Sequence, residues 1–111
     1  MALTVTYTYP VAGTTPPTAA EALAVNRIVA TVEGADADTA TLITHNFLMS
    51  TADLAFLFPT VVVRQSAAGT AASTVVIALT NSVAITFTKA TGAGNSGTWV
   101  VTITRPHSIV R

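Results

Sequence analysis

The sequence predicts an all-β fold, a small β-sandwich or barrel of about seven short strands, from three observations. β-branched and aromatic residues alternate with small polar ones in several short runs. Clusters of Gly, Pro, Asn, Asp and Ser separate these runs at roughly 8–12-residue spacing, as in sandwiches and barrels. The chain has 111 residues, enough for one hydrophobic core and too few for two. A single domain over residues 1–111 is therefore expected.

The first predicted strand has one apolar face and one threonine face. Its apolar face consists of Leu3, Val5, Tyr7 and Tyr9. Pro16 and Pro17 follow, and proline lacks the N–H donor that a central strand needs. Residues 13–18 are therefore expected to form an extended connector, followed by a short helical turn over residues 19–24.

A β-hairpin is predicted in the middle of the chain. Two β-branched runs, residues 26–33 and 39–46, flank residues 34–38, which contain one Gly and two Asp. Gly and Asp accept turn geometry, so the two runs are expected to pair with each other.

Four further strands are predicted. Valine-rich runs at residues 61–63 and 75–77 are joined by the small-residue loop around Gly69. A hairpin through residues 80–82 leads to the alternating strand of Val83, Ile85 and Phe87. The last strand follows the glycine-rich residues 91–97 and is expected to bury Trp99, Val101 and Ile103.

One helix is predicted at residues 50–57. Ser50 and Asp53 have the spacing of a capping box, in which each side chain accepts from the other residue's backbone N–H. Met49 and Leu54 have the spacing of a hydrophobic staple, and Pro59 limits the helix to about two turns. We expect a short lid that closes one end of the core.

The surface is poor in charge. Only 9% of residues are charged, against roughly 25% in an average soluble protein. The formal net charge is +0, and nearly neutral surfaces tend to associate. The cationic residues stand singly and form no basic stripe, which argues against a nucleic-acid partner: Arg27, Arg64, Lys89, Arg105 and Arg111.

The sequence predicts neither a signal peptide nor a membrane-spanning helix. The first residues lack a basic start followed by an apolar run, so no signal peptide is expected and synthesis in the cytoplasm without export is inferred. The longest uncharged stretch, residues 65–88, is interrupted by Gly, Asn and Ser residues. It does not reach the roughly 18 continuous apolar residues of a membrane helix, so no membrane partner is expected.

No catalytic residue, cofactor or metal site is predicted. The chain contains no cysteine, and no serine has the G-x-S-x-G context of a nucleophile elbow. His45 and His107 lack the spacing of metal ligands, and a hydrogen-bonded structural role is preferred for His45. An enzyme is the least favoured class.

Three other patterns have structural interpretations that outweigh functional ones. Glu33, Asp36 and Asp38 could attract calcium but lack an EF-hand ligand series, so a solvated acidic hairpin tip is preferred. A G-x-G-x-x-G match precedes a strand and not a helix, so it predicts a loop: Gly92, Gly94 and Gly97. Trp99 and the two tyrosines could form a sugar-binding platform, but core packing is preferred.

Three segments resemble small virion proteins of tailed bacteriophages. They are residues 41–47 (TLITHNF), residues 50–59 with the capped helix, and residues 97–108 (GTWVVTITRPHS). The likeness covers about the C-terminal two-thirds of the chain. Such proteins are similarly small, rich in Thr and Ala, and free of cysteine.

The resemblance implies a capsid decoration, or cement, protein that binds the major capsid protein on the capsid surface of a virion. It implies a homo-oligomer, with a trimer favoured. The N-terminal strand, the proline connector and the tail at residues 106–111 are expected to make the contacts as assembly arms; the alternative is that the strand closes its own domain. The residues expected to contact a partner are Leu3, Val5, Tyr7, Tyr9, Pro16, Pro17, Arg105, Pro106, His107 and Arg111.

Two other functions stay open. One is a head-completion or tail-tube component of a phage virion, although tube proteins tend to be longer and hexameric. The other is a small carbohydrate-binding module of a host-adhesion device, which the low aromatic content of 6% disfavours.

Overall fold

A computed structural model describes residues 3–48, 59–68, 75–79, 83–92 and 95–105. It contains two antiparallel sheets, which confirms the predicted all-β sandwich. The elements are β1 (Thr4–Tyr9), α1 (Ala19–Val25), β2 (Arg27–Gly34), β3 (Ala40–Thr44), β4 (Thr60–Ala68), β5 (Val75–Leu79), β6 (Ala84–Lys89) and β7 (Gly97–Thr104). The four-stranded sheet has the order β1-β2-β7-β4, and the three-stranded sheet has the order β3-β6-β5.

The core lies between the two sheets. The last strand, β7, contributes Trp99, Val101 and Ile103, each at most 1% exposed, as its alternation predicted. Phe87 from β6 meets Trp99 edge to face, with ring centroids 5.7 Å apart. Such pairs are favoured by the charge distribution of the rings, and here the pair joins the two sheets.

The predicted hairpin of residues 26–33 and 39–46 is wrong. Both segments are strands, but β2 pairs with β1 and β7, while β3 pairs with β6 in the other sheet. Lys89 N–H donates to the Thr39 carbonyl at 2.8 Å, so the β3–β6 ladder begins directly after the connection. Residues 35–39 therefore cross between layers, because each strand buries one face from the opposite side of the core.

The second predicted hairpin is confirmed. β5 and β6 pair antiparallel from Val75 opposite Lys89 to Leu79 opposite Ile85. The turn predicted at residues 80–82, the loop around Gly69 and the helix predicted at residues 50–57 lie outside the described residues.

A bulge changes the predicted alternation of β1. Its register against β2 shifts between Tyr7 and Tyr9, so Tyr9 lies opposite Val29. Val29 shares its face with Arg27, and the Arg27 guanidinium carbon lies 4.8 Å from the centre of the Tyr9 ring. Tyr9 is therefore on the outer face of the sheet and not on the buried face as expected, because a bulge inserts one residue and reverses the facing of those that follow.

The described helix is α1, where only a helical turn was expected. Thr18 and Glu21 form a complete capping box, with Thr18 accepting from the Glu21 N–H and Glu21 accepting from the Thr18 N–H. Asn26 ends the helix in the left-handed conformation, with φ of 56°. Within the part of the chain that is described, no helix has the length and apolarity to cross a membrane.

Two hydrogen bonds fasten the sheet edges to each other. The Tyr7 hydroxyl accepts from the Thr44 N–H at 2.9 Å, which ties β1 to β3 across the sandwich. Asn46, itself in the left-handed conformation, donates through Nδ2 to the Pro17 carbonyl at 2.6 Å. The proline connector is thereby held against the segment that leaves β3.

Pairing of β3 with β6 can be tested by cross-linking, since the chain has no cysteine to interfere. Ala40 and Thr88 lie directly opposite each other, next to the hydrogen-bonded pair of Thr39 and Lys89. They form a non-hydrogen-bonded pair, whose Cα atoms are about 4.5 Å apart and within disulfide range. We expect the Ala40→Cys/Thr88→Cys variant to form a disulfide quantitatively on mild oxidation, measured as a loss of free thiol.

The Thr31→Cys/Thr41→Cys variant is the matched control. These residues would face each other in a β2–β3 hairpin but lie in different sheets here. Their thiols should stay free. Oxidation of the control with no oxidation of the first pair would contradict the crossing between sheets.

Candidate functional site

The outer faces of the two sheets differ in charge. Alternation places Arg27 and Glu33 of β2 and Arg64 of β4 on the outer face of the four-stranded sheet. The outer positions of the three-stranded sheet carry no charge among the described residues. We call these six positions the uncharged face: Ala40, Leu42, Val76, Ala78, Thr86 and Thr88.

Two large apolar side chains stand out on the uncharged face. Leu42 is 52% exposed and Val76 is 58% exposed. Thr86 lies opposite both Leu42 and Ala78, and Thr88 lies opposite both Ala40 and Val76, so two threonines separate the apolar groups. A partner could cover this face without removing any charge from water, which is the most costly part of making an interface.

The edge of the four-stranded sheet at β1 is partly closed. Tyr7 N–H donates to the Gly13 carbonyl at 2.7 Å, and Gly13 N–H donates back to the Tyr7 carbonyl at 2.8 Å. The chain beyond β1 therefore folds back along its outer edge. Since edge strands add to other sheets through their outward-facing backbone groups, this contact leaves only the part of β1 before Tyr7 for such pairing.

An acidic end is formed where the chain crosses from β2 to β3. Asp36 is its anchor: its Oδ1 accepts from the Ser96 N–H at 2.8 Å. Its carbonyl accepts from Lys89 Nζ at 3.3 Å and from the Gly92 N–H at 3.1 Å. Both connections between the sheets at this end, residues 35–39 and 90–96, are thus held at one residue.

Asp38 and Lys89 are buried at the acidic end, where a solvated acidic tip was expected. Asp38 is 5% exposed and accepts from the Ala35 N–H through Oδ2 at 2.9 Å. Its Oδ1 finds no donor among the described residues. Lys89 is 3% exposed and donates to the Asp36 and Ala90 carbonyls. The burial of Lys89 could have been predicted from the sequence, since Ile85, Phe87 and Lys89 are alternate residues of one strand and lie on the same face.

A shallow cleft of about 500 Å³ opens at the acidic end. We call it the acidic cleft. Three strand ends line it, together with Asp38 and Ala35: Thr4 of β1, Glu33 and Gly34 of β2, and Gly97 and Thr98 of β7. A Cβ atom at Gly34 would overlap the Leu3 side chain and approach Lys89 Cε at 3.2 Å, so a larger residue here would force these two side chains to shift.

His45 has the structural role that was expected. It is fully buried and stacks on Phe47, with ring centroids 4.9 Å apart. Its Nδ1 accepts from the Phe47 N–H at 3.0 Å, so Nδ1 carries no proton and Nε2 does. Desolvation by burial lowers the pKa of His45 from its usual 6.5 to about 4.

Among the described residues, the tryptophan and the two tyrosines do not form an exposed aromatic surface on which a sugar could stack. Trp99 and Tyr7 are buried, and Tyr9 is covered by the Arg27 guanidinium. No three His, Asp or Glu side chains of the described residues are grouped as metal ligands would be. The second glycine of the G-x-G-x-x-G match, Gly94, lies outside these residues, but β7 begins at Gly97, as expected for a loop that precedes a strand.

The residues expected to contact a partner are dispersed. Leu3 and Tyr7 are buried in the core, and Val5 packs against it, so the N-terminal strand closes the chain's own sheet. Pro17 is buried, whereas Pro16 and Arg105 are half-buried. Pro106, His107 and Arg111 lie outside the described residues. Partner contact by the backbone edge of β1 and by the tail stays a prediction.

Sequence reasoning missed the uncharged face and the acidic cleft, because both depend on which strands share a sheet. Comparison with known proteins gives no family, since no protein-family model, curated protein or solved structure matches the chain.

Acid should destabilise the fold through His45. The folded state holds the pKa of His45 near 4, below the unfolded value of about 6.5, so its neutral form stabilises the fold fully above pH 6.5. That contribution is lost as the pH falls from 6.5 to 4. We expect about 2 kcal/mol of unfolding free energy to be lost between pH 7.5 and pH 5 on this account.

The His45→Asn variant is the control for this prediction, because Asn Oδ1 can accept from the Phe47 N–H but does not titrate. Urea denaturation gives the unfolding free energy of both proteins at the two pH values. The contribution of the carboxylates, which both proteins share, cancels when the two pH-dependent changes are subtracted. An equal loss of stability in protein and variant would contradict the assignment to His45.

Proposed function

We propose that this chain is a structural protein of a phage virion that binds the assembled capsid and stabilises it, as a decoration protein does. The resemblance of residues 41–47, 50–59 and 97–108 to small virion proteins supplies the kind of assembly. The uncharged face is the observation that carries the proposal, because it is a surface suited to contact with other protein. No catalytic step is part of the proposed function.

The chemistry of the uncharged face suits a protein partner. Leu42 and Val76 supply apolar area, which contributes about 25 cal/mol for each Å² removed from water. The two threonines between them are uncharged, so covering them removes no charge from water. The outer face of the other sheet carries Arg27, Glu33 and Arg64, whose desolvation would oppose a similar contact.

The size of the face argues for several copies on one lattice. Three strands at about 4.8 Å spacing and five residues at about 3.3 Å rise cover on the order of 250 Å². A stable interface buries about 800 Å² on each partner. One face is therefore too small for tight binding alone, whereas linked copies on a repeating lattice would gain affinity through effective concentration.

Stabilisation of the capsid follows by linkage. A protein that binds the assembled shell but not the free subunit stabilises the shell. The gain is about 2.7 kcal/mol per site when the free concentration of that protein is one hundred times its dissociation constant. The same surface could seat the chain in a head-completion complex or a tail tube, and those two structures belong in the test as competing targets. A carbohydrate-binding role has less support, because the described aromatic residues are buried or stacked.

Binding to purified virion parts tests the proposal. Empty expanded capsids and tails of the same phage are mixed with the chain, sedimented and heated. We expect the chain to co-sediment with capsids and to raise their melting temperature, and to leave tails and host polysaccharide unbound. Binding to tails or polysaccharide instead would overturn the decoration role.

Matched variants locate the contact. Leu42→Lys and Val76→Lys each place a charge on the uncharged face, and we expect at least tenfold weaker capsid binding, about 1.4 kcal/mol or more. Val62→Lys is the control, because Val62 is 59% exposed on the outer face of the other sheet. An equal loss of binding in all three variants would show that the contact is not made by the uncharged face.

A further inference from the structure

Apart from Arg64 in the middle of β4, the charged residues of the four-stranded sheet and its connections lie at the two ends of the sheet. Arg27 is the first residue of β2, and Glu33 is the last but one. Arg105 follows β7 and is fixed beside Arg27, since its N–H donates to the carbonyl of the neighbouring Asn26 at 3.0 Å. Arg27 and Glu33 are about 20 Å apart along an extended strand, so they cannot pair within one molecule.

The two ends are complementary in charge. Among the described residues, the acidic end carries the carboxylates of Glu33, Asp36 and Asp38 and the ammonium group of Lys89. The opposite end, which we call the basic end, carries the guanidinium groups of Arg27 and Arg105. Helix α1 contributes Glu21 near this end, but its carboxylate accepts from the Thr18 N–H in the capping box.

The acidic cleft has two features of a site that binds a cationic group. Asp38 lines it and is 5% exposed, and Asp38 Oδ1 has no donor among the described residues. A buried carboxylate oxygen without a donor is costly, and a cation brought beside it would remove that cost. Glu33 lines the same cleft and is exposed, so it can form the first contact with an approaching cation.

The basic end offers a cation in a defined orientation. The Arg27 guanidinium carbon lies over the Tyr9 ring, 4.8 Å from its centre, and this stacking restricts the motion of the guanidinium plane. A planar guanidinium donates in a fork that matches a carboxylate, and less entropy is lost when the plane is already held.

We propose that copies of this chain associate head to tail, with Arg27 and Arg105 of one copy at the acidic cleft of the next. Such a contact joins two different surfaces, so it produces a closed ring when the rotation between copies closes and an open filament when it does not. A second copy fits the cleft better than a metal ion, since two carboxylates line the cleft and no group of three ligands occurs among the described residues. The proposal does not depend on capsid binding, because the uncharged face lies on the other sheet.

Sedimentation velocity on the purified chain tests the association. At 20 mM salt and millimolar protein we expect oligomers, and at 500 mM salt we expect monomers, because salt screens exposed charges. A monomer under both conditions would overturn the proposal, and so would association that strengthens with salt.

Charge reversal identifies the contacting residues. Arg27→Glu and Glu33→Arg should each weaken self-association at least tenfold, because each places like charges against each other. The doubly substituted chain, Arg27→Glu/Glu33→Arg, restores opposite charges with exchanged signs and should associate within about threefold of the original chain. Failure of the double variant to recover would overturn the head-to-tail contact.

Arg64→Glu is the matched control. Arg64 is exposed on the same outer face but in the middle of β4, away from both ends, so its reversal should leave association unchanged. Circular dichroism melting of every variant checks that the fold is intact. A variant that loses self-association but still binds capsids, more weakly because its copies are no longer linked, separates this proposal from the proposed function. Loss of association in Arg64→Glu would contradict the assignment to the ends.

Discussion

Asp36 holds the place where the chain passes from one sheet to the other. Its carbonyl and its carboxylate together accept from Lys89, Gly92 and Ser96, so the crossing after β2 and the connection before β7 are fixed at one residue. Lys89 can be buried there because its ammonium group donates to the Asp36 carbonyl in the crossing, which also carries two carboxylates, and to the Ala90 carbonyl in the other connection. Residues 34–38 also have the composition of a hairpin turn, so local composition does not distinguish such a turn from the crossing that these contacts hold.

The crossing decides how charge is distributed over the molecule. β3 pairs with β6 and not with β2, so the three-stranded sheet consists of strands that carry no charge at their outer positions. The exposed charges of the strands all fall on the other sheet, at Arg27, Glu33 and Arg64. One layer is therefore suited to apolar contact and the other to contact through charge, although neither property is visible in the overall composition.

Strand positions and their buried faces could be predicted from the sequence, because both follow from a period of two that is local. The alternation that placed Trp99, Val101 and Ile103 in the core also applies to Lys89, which lies two residues after Phe87 on the same strand and therefore on the same buried face. Sheet membership could not be predicted, since it depends on pairing between strands distant in the chain. The capping box of Thr18 and Glu21 was a readable local signal for α1, and the helix predicted at residues 50–57 rests on the same kind of signal.

The bulge in β1 shows how one residue of irregularity changes a surface. With regular alternation Tyr9 would have entered the core behind Tyr7, and Arg27 would have projected into solvent without a neighbour. The register shift between Tyr7 and Tyr9 turns the Tyr9 ring to the outer face, where it supports the Arg27 guanidinium. Beyond the bulge the chain returns through Gly13 along the β1 edge and closes it to strand addition near Tyr7. A single irregularity thus restricts backbone pairing at this edge to the part of β1 before Tyr7 and orients a charged group at the end of the same sheet. The head-to-tail contact proposed above uses this oriented charge and does not need the backbone edge of β1.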